Sequence, residues 1–192
     1  MNTTTPIPLS FLTERFLIRR YSSSDKIALF QAARESIAQV FEFLPWCHPD
    51  YQINEAAEWL KSIKSDWRDG SAYHFGIFSK DETVFHGGCS VNQIDEHPIA
   101  NLGYWIKTSS TGKGIATEAT IGLARFCTEK MGLQRIEIIM SIRNDASKAV
   151  AEASGAQFEG RARNRLQLHG KRHDALIYSI TPTDLQQGLD QT

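Results

Sequence analysis

The chain has 192 residues, of which 41% are hydrophobic, and its formal net charge at pH 7 is −1; this is enough apolar sequence for the core of one domain. The balanced charge argues against nucleic acid as a bulk partner, and no apolar run approaches the roughly 20 residues needed to cross a bilayer. Three widely spaced cysteines, Cys47, Cys89 and Cys127, form no C-x-x-C pair, so we expect reduced thiols in a cytoplasmic protein and neither a metal site nor a disulfide framework.

Apolar periodicity divides the chain into strands and helices in the order β-α-α-β-β-β-α-β-α-β-β. The predicted strands cover residues 16–21, 72–78, 83–92, 99–106, 135–142, 157–168 and 171–180. The predicted helices begin at the Ser22–Asp25 cluster, Asn54, Thr117 and Asn144, and they end near Ala33, Gly70, Met131 and Gly155. The order indicates one mixed α/β domain over residues 11–182, with a flexible N-terminal arm at 1–10 and a C-terminal tail at 183–192.

The turn between the predicted strand at 99–106 and the next helix reads T-G-K-G-I-A-T-E-A from Thr111. A glycine-containing turn at a helix N-terminus presents backbone N–H groups to an anion, so it predicts a phosphate site. A Walker loop is excluded because Lys113 is followed by Gly114 rather than by Ser or Thr. A dinucleotide loop is excluded because Thr117 occupies its third glycine position and the turn lies past mid-chain.

The same turn matches the acyl-coenzyme A motif (Q/R)-x-x-G-x-(G/A), with Gly114 and Ala116 in its last two fixed positions and Thr111 where Gln or Arg is usual. Together with N-L-G-Y-W-I, I-R-N-D-A-S-K-A-V-A-E-A-S-G-A and L-T-E-R-F-L-I-R, it resembles the RimJ/RimL branch of the GNAT N-acetyltransferases over about residues 10–182. The resemblance implies the GNAT fold, with a mixed sheet of about six to seven strands flanked by helices. It also implies acetyl transfer from acetyl-CoA to an amine in a ternary complex.

The resemblance also suggests which residues hold the cofactor. Backbone N–H groups of the turn would bind its pyrophosphate, and the strand before the turn would contact the pantetheine arm. The residues concerned are Thr111, Gly112, Lys113, Gly114, Ile115, Ala116 and Thr117 in the turn, and Trp105 and Ile106 on the strand. Asn144 would bond the pantetheine amides, and its position also explains it as a helix cap.

Ser147 matches the serine that protonates the departing thiolate in the RimL type. On the predicted helix it aligns with Ala151 and Ser154, away from an apolar stripe that includes Ala149 and Val150, so it can face a cleft. A nascent thiolate needs only a nearby hydrogen-bond donor, which a serine hydroxyl provides.

No general base can be assigned from the sequence, because Leu166 and Asn101 stand where many relatives carry glutamate. The alternatives by region are Glu42, His48, Asp50 and His74, and a deprotonation relayed by water is equally open. An α-amine titrates near pH 8 and is already partly neutral at physiological pH, so a strong base is dispensable.

The aromatic loop of residues 41–51 is predicted to form the acceptor pocket, with Trp46 and Tyr51 as walls and Glu42 attracting an ammonium group. The preferred acceptor is the N-terminus of a protein, such as a ribosomal protein. A small amine (a polyamine, an amino acid or an antibiotic) and a non-catalytic acyl-CoA sensor remain as alternatives. We expect no nucleic-acid or membrane partner, and either a monomer or a homodimer.

Overall fold

A central mixed sheet carries the fold in the computed structural model, which describes residues 6–92, 94 and 97–187. The strands are β1 (Ser10–Leu12), β2 (Phe16–Arg20), β3 (Ala72–Ser79), β4 (Phe85–Asn92), β5 (Ile99–Ile106), β6 (Arg135–Ser141), β7 (Gln157–Leu168) and β8 (Lys171–Ile180). The helices are α1 (Lys26–Val40), α2 (Ile53–Asp69), α3 (Ile115–Met131), α4 (Asp145–Ala153) and α5 (Pro182–Gln187). The strand order is β1-β2-β3-β4-β5-β6-β8-β7.

The predicted mixed α/β fold is confirmed, but the sheet has eight strands rather than six or seven. The additional strand is β1, which pairs with β2 from Ser10 opposite Arg19. Residues 1–5 of the predicted arm and 188–192 of the predicted tail lie outside the described residues. Within the two segments, two apolar residues pack against the core: Ile7, which precedes β1, and Leu185, which lies in α5.

Two helix starts differ from the predicted ones. The second helix begins at Ile53 with Gln52 as its cap, not Asn54, because the Glu55 carboxylate accepts the Gln52 backbone N–H at 2.7 Å in a capping box. The third helix begins at Ile115, two residues before the predicted Thr117, because Gly114 adopts the left-handed conformation that starts it. The first helix also runs seven residues past Ala33, to Val40.

The core lies on both faces of the sheet. On one face α3 buries Ala119, Leu123 and Ala124 completely against strand residues that include Phe75. On the other face α1 and α2 cover a second cluster built around Leu29 and Leu60 and residues from the β3–β4 hairpin. The sheet is therefore held between two helical layers, and both faces are available for building a site.

The parallel pair β5–β6 divides the sheet. These strands are paired only from Ile99 opposite Arg135 to Asn101 opposite Glu137. Beyond that point β5 continues to Ile106 and β6 continues to Ser141 without pairing with each other. Backbone donors and acceptors of β5 consequently face a gap between the strands, where an extended ligand can complete the pairing.

All three cysteines, Cys47, Cys89 and Cys127, are free and buried. Burial raises the pKa of the Cys47 thiol to about 11 and that of Cys127 to about 12, and it raises the pKa of Cys89 as well. Among the helices of the described residues, none combines the length and the apolar character that a membrane span requires.

We expect Leu123→Ala to lower the free energy of unfolding by about 2–5 kcal/mol, because it leaves a cavity under α3. That corresponds to a Tm lowered by about 5–15 °C for a chain of this length. The matched control is Leu12→Ala, since Leu12 is 67% exposed and its loss should cost less than about 0.5 kcal/mol. Thermal unfolding followed by circular dichroism measures both, and equal Tm values would contradict the core described above.

Candidate active site

The turn before α3 is shaped to hold an anion. Gly112 and Gly114 both have φ near +72°, and Gly114 is the N-cap of α3 without any side chain capping the helix. The first helical hydrogen bond runs from the Glu118 N–H to the Gly114 carbonyl at 3.0 Å. The N–H groups of the first turn, Ile115 to Thr117, therefore point out of the helix end without helical acceptors. They form an anion site at the positive end of a helix of 17 residues.

A brace from the β1–β2 turn fixes this helix end. The Glu118 carboxylate accepts hydrogen bonds from the Thr13 hydroxyl (2.7 Å) and from the Arg15 backbone N–H (2.7 Å) and side-chain Nε (2.6 Å). Burial opposes ionisation of Glu118, but these hydrogen bonds lower its pKa below the ordinary value. The Arg15 guanidinium also donates to the Lys113 carbonyl at 3.0 Å, so a cationic group lies beside the anion site.

Helix α1 fixes the other side of the turn. The buried Ser36 hydroxyl accepts the Thr108 N–H at 3.0 Å, and Glu35 accepts the Ser109 N–H at 3.0 Å and its hydroxyl at 2.8 Å. The turn is thus held from both faces of the sheet before any ligand arrives, which lowers the conformational cost of binding.

The side chains of two predicted cofactor residues are engaged within the turn. Thr111 donates its hydroxyl to the Thr108 carbonyl at 2.8 Å, and the Lys113 ammonium donates to the Ser109 carbonyl at 2.8 Å. Lys113 lies at the surface and its flexible stem can turn toward a phosphate. The Thr111 backbone N–H, which was predicted to face the cofactor, donates to the Thr108 carbonyl at 3.2 Å instead.

On the face of the sheet that carries α3 and α4, Tyr104 of β5 meets Ser147 of α4. The two hydroxyl oxygens are 2.9 Å apart, and the Tyr104 hydroxyl also donates to the Ser147 carbonyl at 3.2 Å. Burial raises the pKa of Tyr104 to about 12, although the Ser147 contact opposes that shift. Asn144 caps α4 as predicted, since its Oδ1 accepts the Ser147 N–H at 3.0 Å.

The orientation predicted for α4 is wrong. Its inward face carries Ala151 and Ser154, which are 0% and 7% exposed, whereas Ala149 is exposed. These small side chains let the helix approach the sheet and α3 closely. Ser147 lies on this inward side together with Ala151 and Ser154, half-buried and next to Tyr104.

On the opposite face, a cavity of about 600 Å³ lies over β3, β4 and β5. Its walls are aromatic: the Trp46 ring lies 5.3 Å from Trp105 and 5.7 Å from Tyr51, and the Tyr21 ring lies 5.2 Å from Trp59. The Tyr21 hydroxyl is buried and has no hydrogen-bond partner among the described residues. Such a pocket combines large apolar walls with a polar group free to contact a ligand.

The floor of the cavity is polar. His74, Ser90 and Gly103 lie opposite one another across β3, β4 and β5, and Asn92 lies opposite Asn101 in the row beside them. The Asn101 Oδ1 is buried and accepts no hydrogen bond within the described residues, while its amide nitrogen donates to Asn92 at 3.3 Å. The floor therefore offers a free acceptor beside the gap between β5 and β6.

The structure brings three of the predicted site residues together at the cavity. Trp105, Trp46 and Tyr51 line the cavity. Glu42 does not, because its carboxylate pairs with Arg143 at 2.7 Å at the surface. Leu166 is half-buried on β7 and lies outside the cavity lining, whereas Asn101 lines the cavity. The lack of a carboxylate at position 101 is thus a property of the cavity, whereas Leu166 does not belong to it.

Sequence reasoning missed the Glu118 brace, Tyr104 and the pairing of His74 with Asp66. The brace and the Tyr104–Ser147 contact join residues that are 103 and 43 positions apart, and the third pair depends on how α2 packs on β3. A local signal existed only for Glu118, which lies in the first helical turn, where acidic residues are favoured.

Comparisons with known proteins agree with this geometry. The model of the GNAT acetyltransferase domain family matches residues 15–157. The chain is 32% identical over 133 residues to the Bacillus subtilis (strain 168) protein named "Putative ribosomal N-acetyltransferase YdaF", covering 66% of this chain and 71% of that protein. It is 27% identical over 131 residues to the Escherichia coli (strain K12) [ribosomal protein uS5]-alanine N-acetyltransferase, covering 67% and 68%.

Among solved structures, Mycobacterium smegmatis RimJ in complex with CoA-disulfide superposes with a TM-score of 0.86 at 21% identity, over 100% of this chain and 97% of that one. A likeness at this identity establishes the shared fold.

The fold and the site define an acyl-CoA-dependent N-acyltransferase. The chain belongs to the GNAT family of acetyltransferases, and its relatives include proteins named as ribosomal-protein N-acetyltransferases. Acetyl-CoA is its acyl donor. The residues present fit that molecule, because the open glycine turn and free N–H groups suit a pyrophosphate and the unpaired edge of β5 suits a chain of amides.

We expect Gly114→Ala to weaken CoA binding by at least about tenfold, because an added Cβ costs about 1–2 kcal/mol at this φ and crowds the turn. Gly132→Ala is the matched control, since Gly132 follows the other end of α3 with φ +71° and nothing within 4 Å of an added Cβ. Both variants carry similar backbone strain, so they should lose similar stability. Calorimetric titration with CoA measures the Kd, and equal Kd values in the two variants would refute the assignment of the turn.

Proposed function

We propose that the protein acetylates the α-amine at the N-terminus of a protein. The acetyl transfer itself follows from the family; the identity of the acceptor is the proposal. The observation that carries it is the charge of the cavity, which suits a single amine attached to an uncharged chain.

The described lining of the cavity provides little negative charge for binding a polycation. Among the described residues that line it, the one carboxylate belongs to Glu55. Both of its oxygens are engaged, Oε1 with the Gln52 N–H at 2.7 Å and Oε2 with the His48 ring at 2.8 Å. A polyamine or an aminoglycoside carries several ammonium groups, and each would lose hydration here without a carboxylate to replace it.

A free amino acid is also a poor match. Its carboxylate would need a cation, and no lysine or arginine is present in the described lining of the cavity. Burial lowers the pKa of His74 below its ordinary value, although Asp66 opposes the shift, so this ring is neutral at pH 7. The first residue of a peptide carries an amide in place of the carboxylate and avoids this cost.

The names of the relatives support the same acceptor. One acts on an alanine of ribosomal protein uS5 and another on a serine of a ribosomal protein, by their names. A reaction on newly made ribosomal proteins would take place in the cytoplasm, where three reduced cysteines are expected.

Different residues of the chain have different roles in acetyl transfer. Acetyl-CoA supplies an activated acyl group whose thioester carbonyl is open to attack by a neutral amine. The α3 N-terminus and the Arg15 side chain bind the phosphates, and the β5 edge orients the arm. The aromatic walls exclude water from the cavity, and Asn101 offers its free Oδ1 to an amine N–H.

Ser147 donates a proton to the departing thiolate. The one hydroxyl hydrogen of Tyr104 lies between the Ser147 carbonyl (3.2 Å) and the Ser147 Oγ (2.9 Å), so when Tyr104 is the donor to both, the Ser147 hydrogen is left for a further acceptor. The Asn144 cap fixes the backbone of Ser147 and with it the direction of the side chain.

We expect Ser147→Ala to lower kcat by about 10²-fold, the lower end of general-acid contributions, with little change in the Kd for CoA. The backbone N–H that Asn144 caps is retained in this variant, so α4 should stay folded. Ser154→Ala is the control, because Ser154 lies on the same helix and bonds only the Val150 carbonyl, at 2.7 Å. Steady-state kinetics and calorimetry separate the two effects, and unchanged kcat in Ser147→Ala would remove the acid role.

The acceptor class is tested by release of CoA thiol with a panel of N-terminal peptides, spermidine, free amino acids and kanamycin. We expect turnover with peptides whose N-terminus is free and none with the same peptides after N-terminal blocking. Mass spectrometry of the product should place one acetyl group on the α-amine. Turnover with only the small amines would replace the proposal with a small-molecule acetyltransferase, and CoA binding without any turnover would indicate a sensor.

A further inference from the structure

The site lacks an obvious proton acceptor for the amine. The resemblance directed attention to Asn101 and Leu166, but neither side chain can take up a proton at neutral pH. A protonated amine must nevertheless lose a proton before it can attack a carbonyl carbon. The titratable side chains that line the cavity are thus the candidates for this task.

One of these, His74, is held in the geometry of a base. Its Nε2 lies 3.3 Å from the Asp66 carboxylate, and its side chain is only 18% exposed. An ionised carboxylate only accepts hydrogen bonds, so the proton of a neutral His74 resides on Nε2 and the lone pair on Nδ1. The Trp59 ring packs edge-on against the imidazole at 5.5 Å and limits its rotation.

The row His74–Ser90–Gly103 leads from this ring to the gap between β5 and β6. Directly opposite residues share a face of the sheet, so the Ser90 side chain lies between His74 and the space over Gly103. That space is free: a Cβ on Gly103 would meet only the Ser90 Oγ, at 3.8 Å. Two strand spacings, about 10 Å, separate His74 from Gly103, so the hydroxyl of Ser90 or one water can bridge them.

Ser147, the proposed proton donor, and the row His74–Ser90–Gly103 lie next to the same part of β5. Gly103 is the first residue on the cavity face beyond the last β5–β6 pair, at Asn101. The next residue, Tyr104, contacts Ser147 on the other face at 2.9 Å. An amine over Gly103 therefore has a proton acceptor on its own side of the sheet and the thiolate's proton donor on the other.

We propose that His74 is the general base for the acceptor amine, receiving its proton through Ser90 or one water, and that Asp66 orients the ring. This inference rests on the proposed acetylation of an amine. In the step a proton leaves the ammonium nitrogen, a proton binds Nδ1 of His74, and the amine keeps the lone pair. The neutral amine then forms the C–N bond as the C–S bond breaks and its electron pair goes to sulfur. The nitrogen loses its second proton, which replaces the proton that Ser147 gives to the thiolate, and His74 returns the first proton to solvent.

Other groups in the cavity are less suited to this role. Hydrogen bonds from Gln52 and His48 lower the pKa of Glu55, which makes it a weaker base. The Tyr21 and Tyr51 phenols have raised pKa values, first because they are buried, and stay protonated. The charged group that faces His74 from α2 is Asp66; its attraction for imidazolium is outweighed by burial, so the pKa of His74 is lowered.

The test is the pH dependence of kcat/KM, measured with the amine that the wild type accepts best. Burial lowers the pKa of His74 below the ordinary histidine value, although Asp66 opposes the shift, so with His74 as a working base kcat/KM should stay near its maximum through neutral pH and fall only at lower pH. Without the base only the neutral amine reacts, so the kcat/KM of His74→Gln should fall tenfold per pH unit below about pH 8. At pH 7 we expect its kcat/KM to be lowered by about 10²-fold.

His173→Gln is the matched control, being the same change at a half-buried histidine of β8 outside the cavity lining, and it should keep the wild-type profile. Asp66→Asn is the second variant; Asp66 is 37% exposed, so its replacement should spare the fold while shifting the profile toward that of His74→Gln. Nitrogen-15 NMR of the free protein should show His74 protonated on Nε2, and less so in Asp66→Asn.

A wild-type profile in His74→Gln, or protonation of His74 on Nδ1, would overturn the proposal. The pH profile is measured with whichever amine the enzyme accepts best, so the proposed acceptor and the proposed base can fail separately. An enzyme active only on small amines refutes the proposed acceptor and still tests His74. An enzyme inactive with every amine refutes both.

Discussion

Strands β5 and β6 separate within the sheet, and this separation determines where a site can form. Two parallel strands pair at three positions and then diverge, although each continues for several residues. Unpaired backbone inside a sheet is costly unless something satisfies it, and the fold tolerates the gap because both strands are secured on their outer sides. β4 pairs with β5 as far as Ile106, and β8 pairs with β6 as far as Ser141.

The gap connects the two faces of the sheet, and the chain places different chemistry on each. The face that packs against α3 and α4 carries two hydroxyls in contact, from Tyr104 and Ser147. The other face carries aromatic walls and a polar floor containing His74 and Asn101. A thioester reaching the gap is therefore exposed to a donor from one side and to an incoming amine from the other. Alternation of side chains along β5 is sufficient to produce this separation.

Local patterns predicted much of this arrangement. β5 was predicted with the bounds that it has, 99 to 106, because its apolar run is bordered by turn residues. The cap at Asn144 was predicted because side-chain capping is a short-range interaction. The start of α3 was misplaced because Gly114 enters the helix in a left-handed conformation that composition does not reveal.

Long-range pairs could not be predicted from such patterns. Glu42 was assigned to the acceptor pocket, but its partner Arg143 is 101 residues away and draws it to the surface. The inward face of α4 was predicted incorrectly. The helix packs closely, so the small residues Ala151 and Ser154 face inward and the more apolar stripe does not. The role of Asp66 beside His74 becomes visible only when α2 is laid over β3.

The burial of the three cysteines has a practical consequence. A thiol reacts through its thiolate, and burial raises the pKa of Cys47, Cys89 and Cys127 well above neutrality while removing them from solvent. Disulfide reagents that report released CoA should therefore leave the native protein unmodified, and colour development in such an assay counts turnovers directly. The same reagents should modify the chain once it unfolds, so one chemistry can report both catalysis and loss of structure.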